Sequence, residues 1–178
     1  MSAATTPPWY VITGGPSSGK STTIAELASR GYATVSEHAR EYIVDQLALG
    51  RTLEEIRADE PAMQRSIMKM QAEHEATLDR TELVFLDRAL LDALAYFRWL
   101  NIEPSEADIA LATKAVYRKV FILDLLPLVQ DEARNENADA QRELHALLHD
   151  IYTEYGYDVV HVPVLTPAQR ADYILERL

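Results

Sequence analysis

The chain has 178 residues, of which 48% are hydrophobic and 25% are charged, and its 28 acidic and 17 basic residues give a formal net charge of -11. This length suits one domain with a central sheet covered by helices, and the acidic balance excludes a broad attractive surface for nucleic acid or anionic lipid. The absence of cysteine excludes disulfides, thiolate metal sites and cysteine nucleophiles.

Targeting and membrane-spanning signals are not found in this sequence. Residues 1–8 carry no positive charge and no long apolar run, and no later stretch reaches the roughly 18 uncharged apolar residues of a membrane span. We therefore expect a cytoplasmic protein with one domain over residues 1–178, a flexible segment at 1–8, and neither nucleic acid nor a membrane as partner. Neither the composition nor the motifs indicate an oligomeric state.

Five short apolar runs alternate with helical patterns along the chain. The runs lie at 9–13, 32–36, 83–86, 119–123 and 158–162. The helical patterns lie at about 20–30, 37–49, 53–79, 88–100, 105–117, 138–155 and 166–178. Strands rich in Val, Ile and Phe that alternate with helices predict a parallel sheet with right-handed crossovers. We therefore predict an α/β fold with three layers, α/β/α, around a five-stranded parallel sheet. Pro61 predicts that the long helical pattern breaks near Glu60.

The first predicted strand ends in a glycine-rich segment. Residues 14–21 read Gly-Gly-Pro-Ser-Ser-Gly-Lys-Ser, the pattern G-x-x-x-x-G-K-S, and lie between a strand and a helix. Such a turn points backbone N–H groups at a polyphosphate, and the positive end of the next helix favours the anion further. Lys20 is then expected to contact the β- and γ-phosphates, and Ser21 to bind Mg²⁺. The predicted nucleotide-binding residues are Gly14, Gly15, Pro16, Ser17, Ser18, Gly19, Lys20, Ser21 and Thr22.

An acidic residue, Glu37, directly follows the second predicted strand. Because ligands bind at the carboxyl ends of parallel strands, Glu37 is expected at the same edge as the phosphate-binding loop. Its carboxylate is suited there to accept the proton of a hydroxyl that attacks the γ-phosphate. The alternative is that Glu37 only opens the following helix, where the helix dipole favours an acid.

The third predicted strand, at 83–86, is followed by another carboxylate, Asp87. A hydrophobic strand that leads into an acid places that acid beside the Mg²⁺ of a phosphate loop. The next residue is Arg88, whereas machines that hydrolyse ATP with an activated water commonly have Glu there. Arginine suits the clamping of phosphates or of an acceptor. The alternative is an Asp-Arg pair that caps the next helix.

A polar stretch at 125–139 follows the fourth predicted strand. We interpret it as a candidate lid in which Arg134, together with Arg142, swings over the transferring phosphoryl group and neutralises developing charge. The alternative is that these arginines are only solvated or paired at the surface.

Two groups of side chains at helical spacing are expected to pack in the core more often than to face a ligand. The first group is Met63, Ile67, Met70 and His74. The second group is Tyr42, Tyr96, Phe97 and Trp99. Because these side chains are aromatic, they are also candidates to line an acceptor cavity.

Five segments together resemble those of ribosylnicotinamide-kinase-like P-loop proteins, from the group of small AAA-type ATPase or kinase domains. The segments are Thr13-Gly-Gly-Pro-Ser-Ser-Gly-Lys-Ser-Thr22, Glu37-His-Ala-Arg-Glu-Tyr-Ile43, Phe85-Leu-Asp-Arg-Ala-Leu-Leu-Asp-Ala-Leu-Ala-Tyr96, Gln130-Asp-Glu-Ala-Arg134 and Tyr155-Gly-Tyr-Asp-Val-Val-His-Val-Pro163. Their order and spacing extend the resemblance over nearly the whole chain.

This resemblance implies a nucleoside/nucleotide-kinase-like fold, ATP and Mg²⁺ as cofactors, and a small hydroxyl-bearing acceptor. It implies a base after the second strand, matched by Glu37, and a lid arginine, matched by Arg134. The chain departs from the family pattern at His38, where Pro is frequent, and at Ala89, where Gly or Ser is frequent. Because of these departures, the resemblance implies the fold but does not identify the acceptor.

Our leading hypothesis is a Mg²⁺-dependent kinase that moves the γ-phosphate of ATP to a hydroxyl of a small metabolite, with a nucleoside-like compound favoured. The predicted catalytic residues are Lys20, Glu37, Asp87, Arg88 and Arg134, and the predicted metal ligands are Ser21 and Asp87. The alternative is a regulatory ATPase or switch that acts on a protein partner. A kinase requires a second cavity beside the γ-phosphate, lined by residues from 37–80 and 88–100, whereas a switch requires an exposed effector surface.

Overall fold

The computed structural model describes residues 6–127 and 135–178. Its strands are β1 (Trp9–Thr13), β2 (Ala33–Val35), β3 (Val84–Asp87), β4 (Lys119–Leu123) and β5 (Val159–Val162). These strands pair in parallel in the order β2-β3-β1-β4-β5. The predicted α/β fold with a five-stranded parallel sheet is confirmed.

The helices of the described residues lie in the connections between the strands and after the last strand. They are α1 (Lys20–Ser29), α2 (His38–Ala48), α3 (Leu53–Arg57), α4 (Glu60–Glu75), α5 (Asp92–Trp99), α6 (Glu106–Ala112), α7 (Asn135–Glu154) and α8 (Pro167–Leu175). The predicted break near Glu60 is confirmed, because α3 ends at Arg57 and α4 begins at Glu60. Pro61 lies in the first turn of α4, where its missing N–H leaves no helix bond unmade.

Separate apolar clusters cover the two faces of the sheet. Successive side chains of a strand point to opposite faces, so Trp9 and Val11 of β1 pack with residues of α4, α5 and α7. Tyr10 and Ile12 pack on the other face with residues of α1 and α8. The sheet is therefore the middle of three layers, as predicted.

The register of the sheet brings the predicted site elements to one edge. Asp87, the last residue of β3, is level with Ile12 of β1, one residue before the end of that strand. Val35 of β2 is level with Leu86 of β3. The glycine-rich loop after β1, Glu37 after β2 and Asp87 at the end of β3 therefore all lie at the carboxyl edge of the sheet.

The helix predicted at 88–100 begins later than expected, at Asp92. Arg88 has a φ of 68°, in the left-handed region that interrupts a regular helix. The cap of α5 is Leu91, so Asp87 and Arg88 do not cap this helix. The alternative explanation of the Asp-Arg pair as a helix cap is therefore wrong.

Two predictions fall partly outside the described residues. Arg134 lies outside them with the rest of 128–134, which is the middle of the candidate lid at 125–139, and so do the first five residues of the segment 1–8. Helix α7 begins at Asn135, so the last five positions of the candidate lid are helical. Within the described part of the chain, no helix is both long and apolar enough to span a bilayer.

Candidate active site

Glycines set the conformation of the loop between β1 and α1. Gly14 and Gly19 have φ values of 141° and 84°, which only glycine adopts without strain. A Cβ atom on Gly14 would also lie 2.8 Å from the carbonyl oxygen of Leu123. Gly19 immediately precedes α1, so the loop closes on the N-terminus of that helix. This arrangement presents backbone N–H groups and the positive end of the helix dipole to an anion.

The side chain of Lys20 closes this loop from within. Its Nζ donates hydrogen bonds to the carbonyl oxygens of Gly14, at 2.9 Å, and Gly15, at 3.0 Å. Burial, reinforced by the positive charge of Arg88, lowers the pKa of Lys20 from 10.5 to about 8. An anion bound in the loop would favour the charged ammonium and raise this pKa again.

A buried arginine that the sequence analysis missed supports the loop from α8. Arg170 donates hydrogen bonds to the carbonyl oxygens of Ser18, of Pro163 at 3.1 Å and of Asp124 at 3.0 Å. Its side chain therefore joins the loop to the ends of β4 and β5. No local pattern distinguishes Arg170 from a solvated arginine on a helix, because its partners lie in other segments of the chain.

Helix α7 contacts the loop through a histidine that the sequence analysis also missed. The backbone N–H of Gly15 donates to Nδ1 of His145 at 3.2 Å. Burial lowers the pKa of His145 below the usual histidine value. The neutral imidazole is the form that accepts this hydrogen bond.

Asp87 offers a buried carboxylate beside the loop. Among the described residues, no donor reaches its Oδ1 atom. Burial, together with the negative charge of Glu37, raises the pKa of Asp87 from 3.8 to about 6. An unpaired carboxylate oxygen is a suitable ligand for a hard divalent cation, so Asp87, with the hydroxyl of Ser21 in the loop, fits a Mg²⁺ ion.

Glu37 and Arg88 form an ion pair between β2 and β3. The Nε atom of Arg88 donates to Oε1 of Glu37 at 2.8 Å, and the guanidinium lies over the ring of Tyr96, 5.2 Å from its centre. Glu37 occupies the N-cap position of α2, but its side chain makes no capping hydrogen bond. The structure thus directs the carboxylate toward Arg88 and away from the helix amides.

The charge state of Glu37 follows from this pairing. Burial favours its neutral form, but the positive charges of Arg88 and Lys20 outweigh burial and hold its pKa below the usual glutamate value. Glu37 is therefore ionised at neutral pH and has a free lone pair to accept a proton.

Two buried carboxylates fix the segment that carries Arg88. Asp92 accepts hydrogen bonds from the hydroxyl of Thr13, at 2.6 Å, from that of Tyr152, at 2.5 Å, and from the N–H of Ala89, at 3.1 Å. Arg88 also lies 3.6 Å from the carboxylate of Asp92. Asp92 therefore ties the strand before the loop, helix α7 and the turn at Arg88 to one another.

The second carboxylate, Glu75 of α4, is linked to the segment after Arg88 by the hydroxyl of a tyrosine. The hydroxyl of Tyr117 donates to Glu75 at 2.9 Å and accepts from the N–H of Leu90 at 3.1 Å. Gln71 donates to Glu75 as well, at 2.6 Å. Burial raises the pKa of Glu75 from 4.5 to about 7.

The raised pKa of Glu75 predicts that the protein loses stability as the pH rises. The folded protein holds this proton more tightly than the unfolded chain, so the stabilisation is complete below pH 4.5 and is lost as the pH rises through about 7. The shift corresponds to about 3 kcal/mol in the free energy of unfolding. Glu75→Gln mimics the neutral acid, so we expect the stability of this variant to depend less on pH.

Urea unfolding at several pH values measures this difference. The matched control is Glu73→Gln, which changes an exposed glutamate of the same helix and should retain the pH dependence of the unmodified protein. An equal decline in the stability of Glu75→Gln would show that Glu75 does not carry the extra proton.

A cavity of about 230 Å³ lies between α2, α4 and α5. All of its lining residues come from 37–71 and 88–100, within the ranges expected of an acceptor cavity. The surface of its walls is mainly apolar, and its polar groups include the amide of Gln64 and the charged side chains of Glu37 and Arg88. Apolar walls with a few placed polar groups are typical of small-molecule sites.

The cavity adjoins the space in front of the phosphate loop. That second space, of about 470 Å³, is bounded by the loop from Pro16 to Thr22 and by α2. Glu37, Arg88 and Tyr96 line both spaces. A molecule in the cavity would therefore face a phosphate in the loop across these three side chains.

Some side chains expected in the core instead line the cavity. Met63 and Ile67 of α4, and Tyr96 and Trp99 of α5, all belong to its wall, so for them the core prediction is wrong in part. Phe97 is fully buried in the core, as predicted. Helical spacing identifies the inward face of a helix, but it does not show whether a side chain or a cavity lies opposite.

A family model described as an AAA domain matches residues 9–170. Comparison with proteins of curated function gives no match. Among solved structures, a deoxyadenosine kinase from M. mycoides with bound dCTP is similar, with a TM-score of 0.62, 16% identity, and coverage of 95% of this chain and 97% of that one.

Two other solved structures have similar scores. A thymidylate kinase from Ehrlichia chaffeensis has a TM-score of 0.65 and 12% identity, over 95% of this chain and 97% of that one. The NadR protein in complex with NR has a TM-score of 0.65 and 19% identity, over 94% of this chain and 50% of that one. This chain thus spans about half of NadR, and at these identities the likeness shows a shared fold.

Proposed function

This chain belongs to the AAA domain family, whose model matches residues 9–170, and we propose that it is a Mg²⁺-dependent kinase of nucleoside-like compounds. It would transfer the γ-phosphate of ATP to a hydroxyl of the acceptor. The observation that carries this proposal is the meeting of the phosphate loop and the apolar cavity at Glu37, Arg88 and Tyr96. Kinases among the structures of similar fold support it.

We assign the role of base in this reaction to Glu37. As the acceptor oxygen forms its bond to the γ-phosphorus, its proton passes to the Glu37 carboxylate. The bond from that phosphorus to the bridging oxygen breaks, and the electron pair leaves with ADP. In a loose transition state the hydroxyl becomes acidic only as the new bond forms, so a carboxylate of low pKa suffices as base.

Two cationic side chains would balance the charge of the transferring group. Lys20 lies within the loop, and Arg88 is held at the junction by Glu37 and Asp92. Mg²⁺ held by Ser21 and Asp87 would neutralise charge on the phosphate oxygens. Arg134, which lies outside the described residues, remains a proposed lid arginine.

The cavity favours a nucleoside-like acceptor over a simple sugar. Its aromatic and thioether side chains suit a flat, apolar ring, and the amide of Gln64 suits the hydrogen-bonding edge of such a ring. A regulatory switch does not need an apolar cavity that adjoins its nucleotide, so the cavity favours the kinase over that alternative.

Consumption of ATP, measured with and without individual nucleosides and sugars, tests the proposed function. We expect one nucleoside-like compound to stimulate ATP consumption strongly and to appear as its monophosphate. Hydrolysis at the same rate without any acceptor would overturn the proposal in favour of a regulatory ATPase.

Filling the cavity should separate acceptor binding from nucleotide binding. Ile67 lines the cavity but not the space before the loop. Ile67→Trp should therefore raise the KM for the acceptor about fivefold to 150-fold, which corresponds to an overpacking cost of about 1–3 kcal/mol. The affinity for ATP should not change. Steady-state kinetics and nucleotide titration measure the two effects.

The matched control introduces the same bulky side chain outside the cavity. Val44→Trp alters an exposed position of α2 and should leave both constants unchanged. An unchanged acceptor KM in Ile67→Trp would show that the acceptor binds elsewhere.

A further inference from the structure

Three side chains with metal-binding groups converge on the α7 side of the phosphate loop. They are Asp124, which follows β4, His145 of α7 and His161 of β5. Each offers a ligand atom, and the three atoms lie within 4.8 Å of one another. None of these residues has a part in the proposed phosphate transfer.

The sheet holds two of these groups in place. His161 is level with Ile122 in the pairing of β4 and β5, and Asp124 follows one residue after that pairing ends. The N–H of Asp124 donates to the carbonyl oxygen of Val162 at 2.9 Å, and Nδ1 of His161 lies 3.1 Å from Oδ1 of Asp124. About half of each of these two side chains is exposed, so an ion from solvent has access to the cluster.

We propose that Asp124, His145 and His161 form a Zn²⁺ site that is coupled to the phosphate loop. Two imidazoles and a carboxylate suit Zn²⁺, whereas Mg²⁺ prefers oxygen ligands alone. Three protein ligands leave one tetrahedral position for water. This site is separate from the oxygen ligands of Ser21 and Asp87 that fit Mg²⁺.

The coupling follows from the single lone pair of a neutral imidazole. Nδ1 of His145 now accepts the N–H of Gly15 at 3.2 Å. If Zn²⁺ takes Nδ1, that acceptor is lost. If Zn²⁺ takes Nε2, the proton moves to Nδ1, which then faces the N–H of Gly15 as a second donor. Either way, zinc binding breaks the contact between α7 and the loop.

Loss of this contact should alter how the loop binds a nucleotide. The contact from His145 holds the loop at Gly15, and Arg170 holds it at Ser18. Because coupling between two ligands is reciprocal, Zn²⁺ that loosens the loop weakens nucleotide binding, and a bound nucleotide weakens zinc binding.

Titration of the full chain with Zn²⁺, and with Co²⁺ as a spectroscopic probe, tests the site. We expect one equivalent to bind. We expect His161→Ala to weaken the affinity at least about tenfold, because even the loss of a residue that only supports a metal ligand costs about that much. Asp124→Asn is a second variant with the same expectation. Both changes are at partly exposed side chains, and thermal unfolding verifies that the variants fold.

The matched control for the site is His149→Gln. This histidine lies one helical turn after His145, and its ring is 5.3 Å from that of His161, but it is not one of the three ligands. It should retain the zinc affinity of the unmodified protein. Equal zinc affinity in His161→Ala and the unmodified protein would overturn the proposed site.

Amide exchange at Gly15, followed by NMR, tests the coupling without using activity. Zn²⁺ should accelerate exchange of this amide in the unmodified protein and should have no effect in His161→Ala. With Mg²⁺ in large excess, Zn²⁺ should lower the nucleotide affinity of the unmodified protein. It should leave the nucleotide affinity of His161→Ala unchanged. Zinc binding that leaves Gly15 exchange unchanged would overturn the coupling.

Discussion

Replacement of Lys20 by methionine is expected to lower kcat/KM for phosphate transfer by about a hundredfold to a thousandfold, the effect of losing one preorganised group that stabilises transition-state charge. The Lys20 ammonium lies inside the loop, within hydrogen-bond distance of two of its carbonyl oxygens. Methionine has a similar length and no charge. The variant thus removes the cation and leaves the packing of α1 intact.

The loss should appear in nucleotide binding as well as in turnover. Titration with a fluorescent ATP analogue measures affinity, and a coupled assay measures turnover. Lys69→Met is the matched control, because Lys69 is an exposed residue of α4 whose ammonium lies 3.8 Å from Glu73. Nucleotide affinity in Lys20→Met equal to that of the control would contradict the assignment of the loop.

Replacement of Glu37 by glutamine is expected to lower kcat by about a hundredfold to ten-thousandfold, the usual contribution of a general base. The amide oxygen of glutamine still accepts the hydrogen bond from Arg88, but it cannot take a proton from the acceptor. Because the geometry is preserved, nucleotide affinity should stay the same. Phosphate transfer to the acceptor, measured at saturating concentrations of both substrates, gives the effect.

The pH profile of Glu37→Gln measures the effect of the Glu37 charge on Asp87. The pKa of Asp87 is raised to about 6, first by burial and then by the charge of Glu37. In the unmodified protein, kcat/KM should therefore fall as the pH drops below about 6, where Asp87 becomes protonated. Removal of the Glu37 charge should move this fall to lower pH.

The matched control for Glu37 is Glu41→Gln, an exposed glutamate on α2. This variant should keep the turnover of the unmodified protein, and its kcat/KM should fall at the same acidic pH. Full turnover in Glu37→Gln would show that another group accepts the proton, and would leave Glu37 as a residue that only positions Arg88.

Several features of the site could be predicted because they depend on neighbouring residues. The segment at 14–21 directly follows a strand, contains the glycines and leads into a helix, so one short stretch of sequence carries the whole pattern. The placement of Glu37 and Asp87 at one edge followed from the strand pattern, because all carboxyl ends of a parallel sheet lie on the same side. That rule did not predict which side chains Glu37 and Asp87 contact.

The cavity shows what helical spacing leaves open. Spacing indicated that α4 and α5 each have an apolar face, and both helices do turn these faces inward. Whether the space between them is filled depends on how far apart the helices pack. That distance is set by contacts with α2, α7 and the sheet, so Ile67 and Trp99 became walls of a cavity.

The sequence by itself determined the α/β fold and the edge of the sheet at which the glycine-rich loop and the acidic residues lie, because each depends on local periodicity or on one rule of parallel strands. Only the tertiary structure decided the side-chain partnerships. Arg88 pairs with Glu37 across 51 positions, and Arg170 reaches Ser18 across 152. Such pairs form where packed elements bring distant segments within about 3 Å, and a periodic pattern along the chain carries no information on that distance.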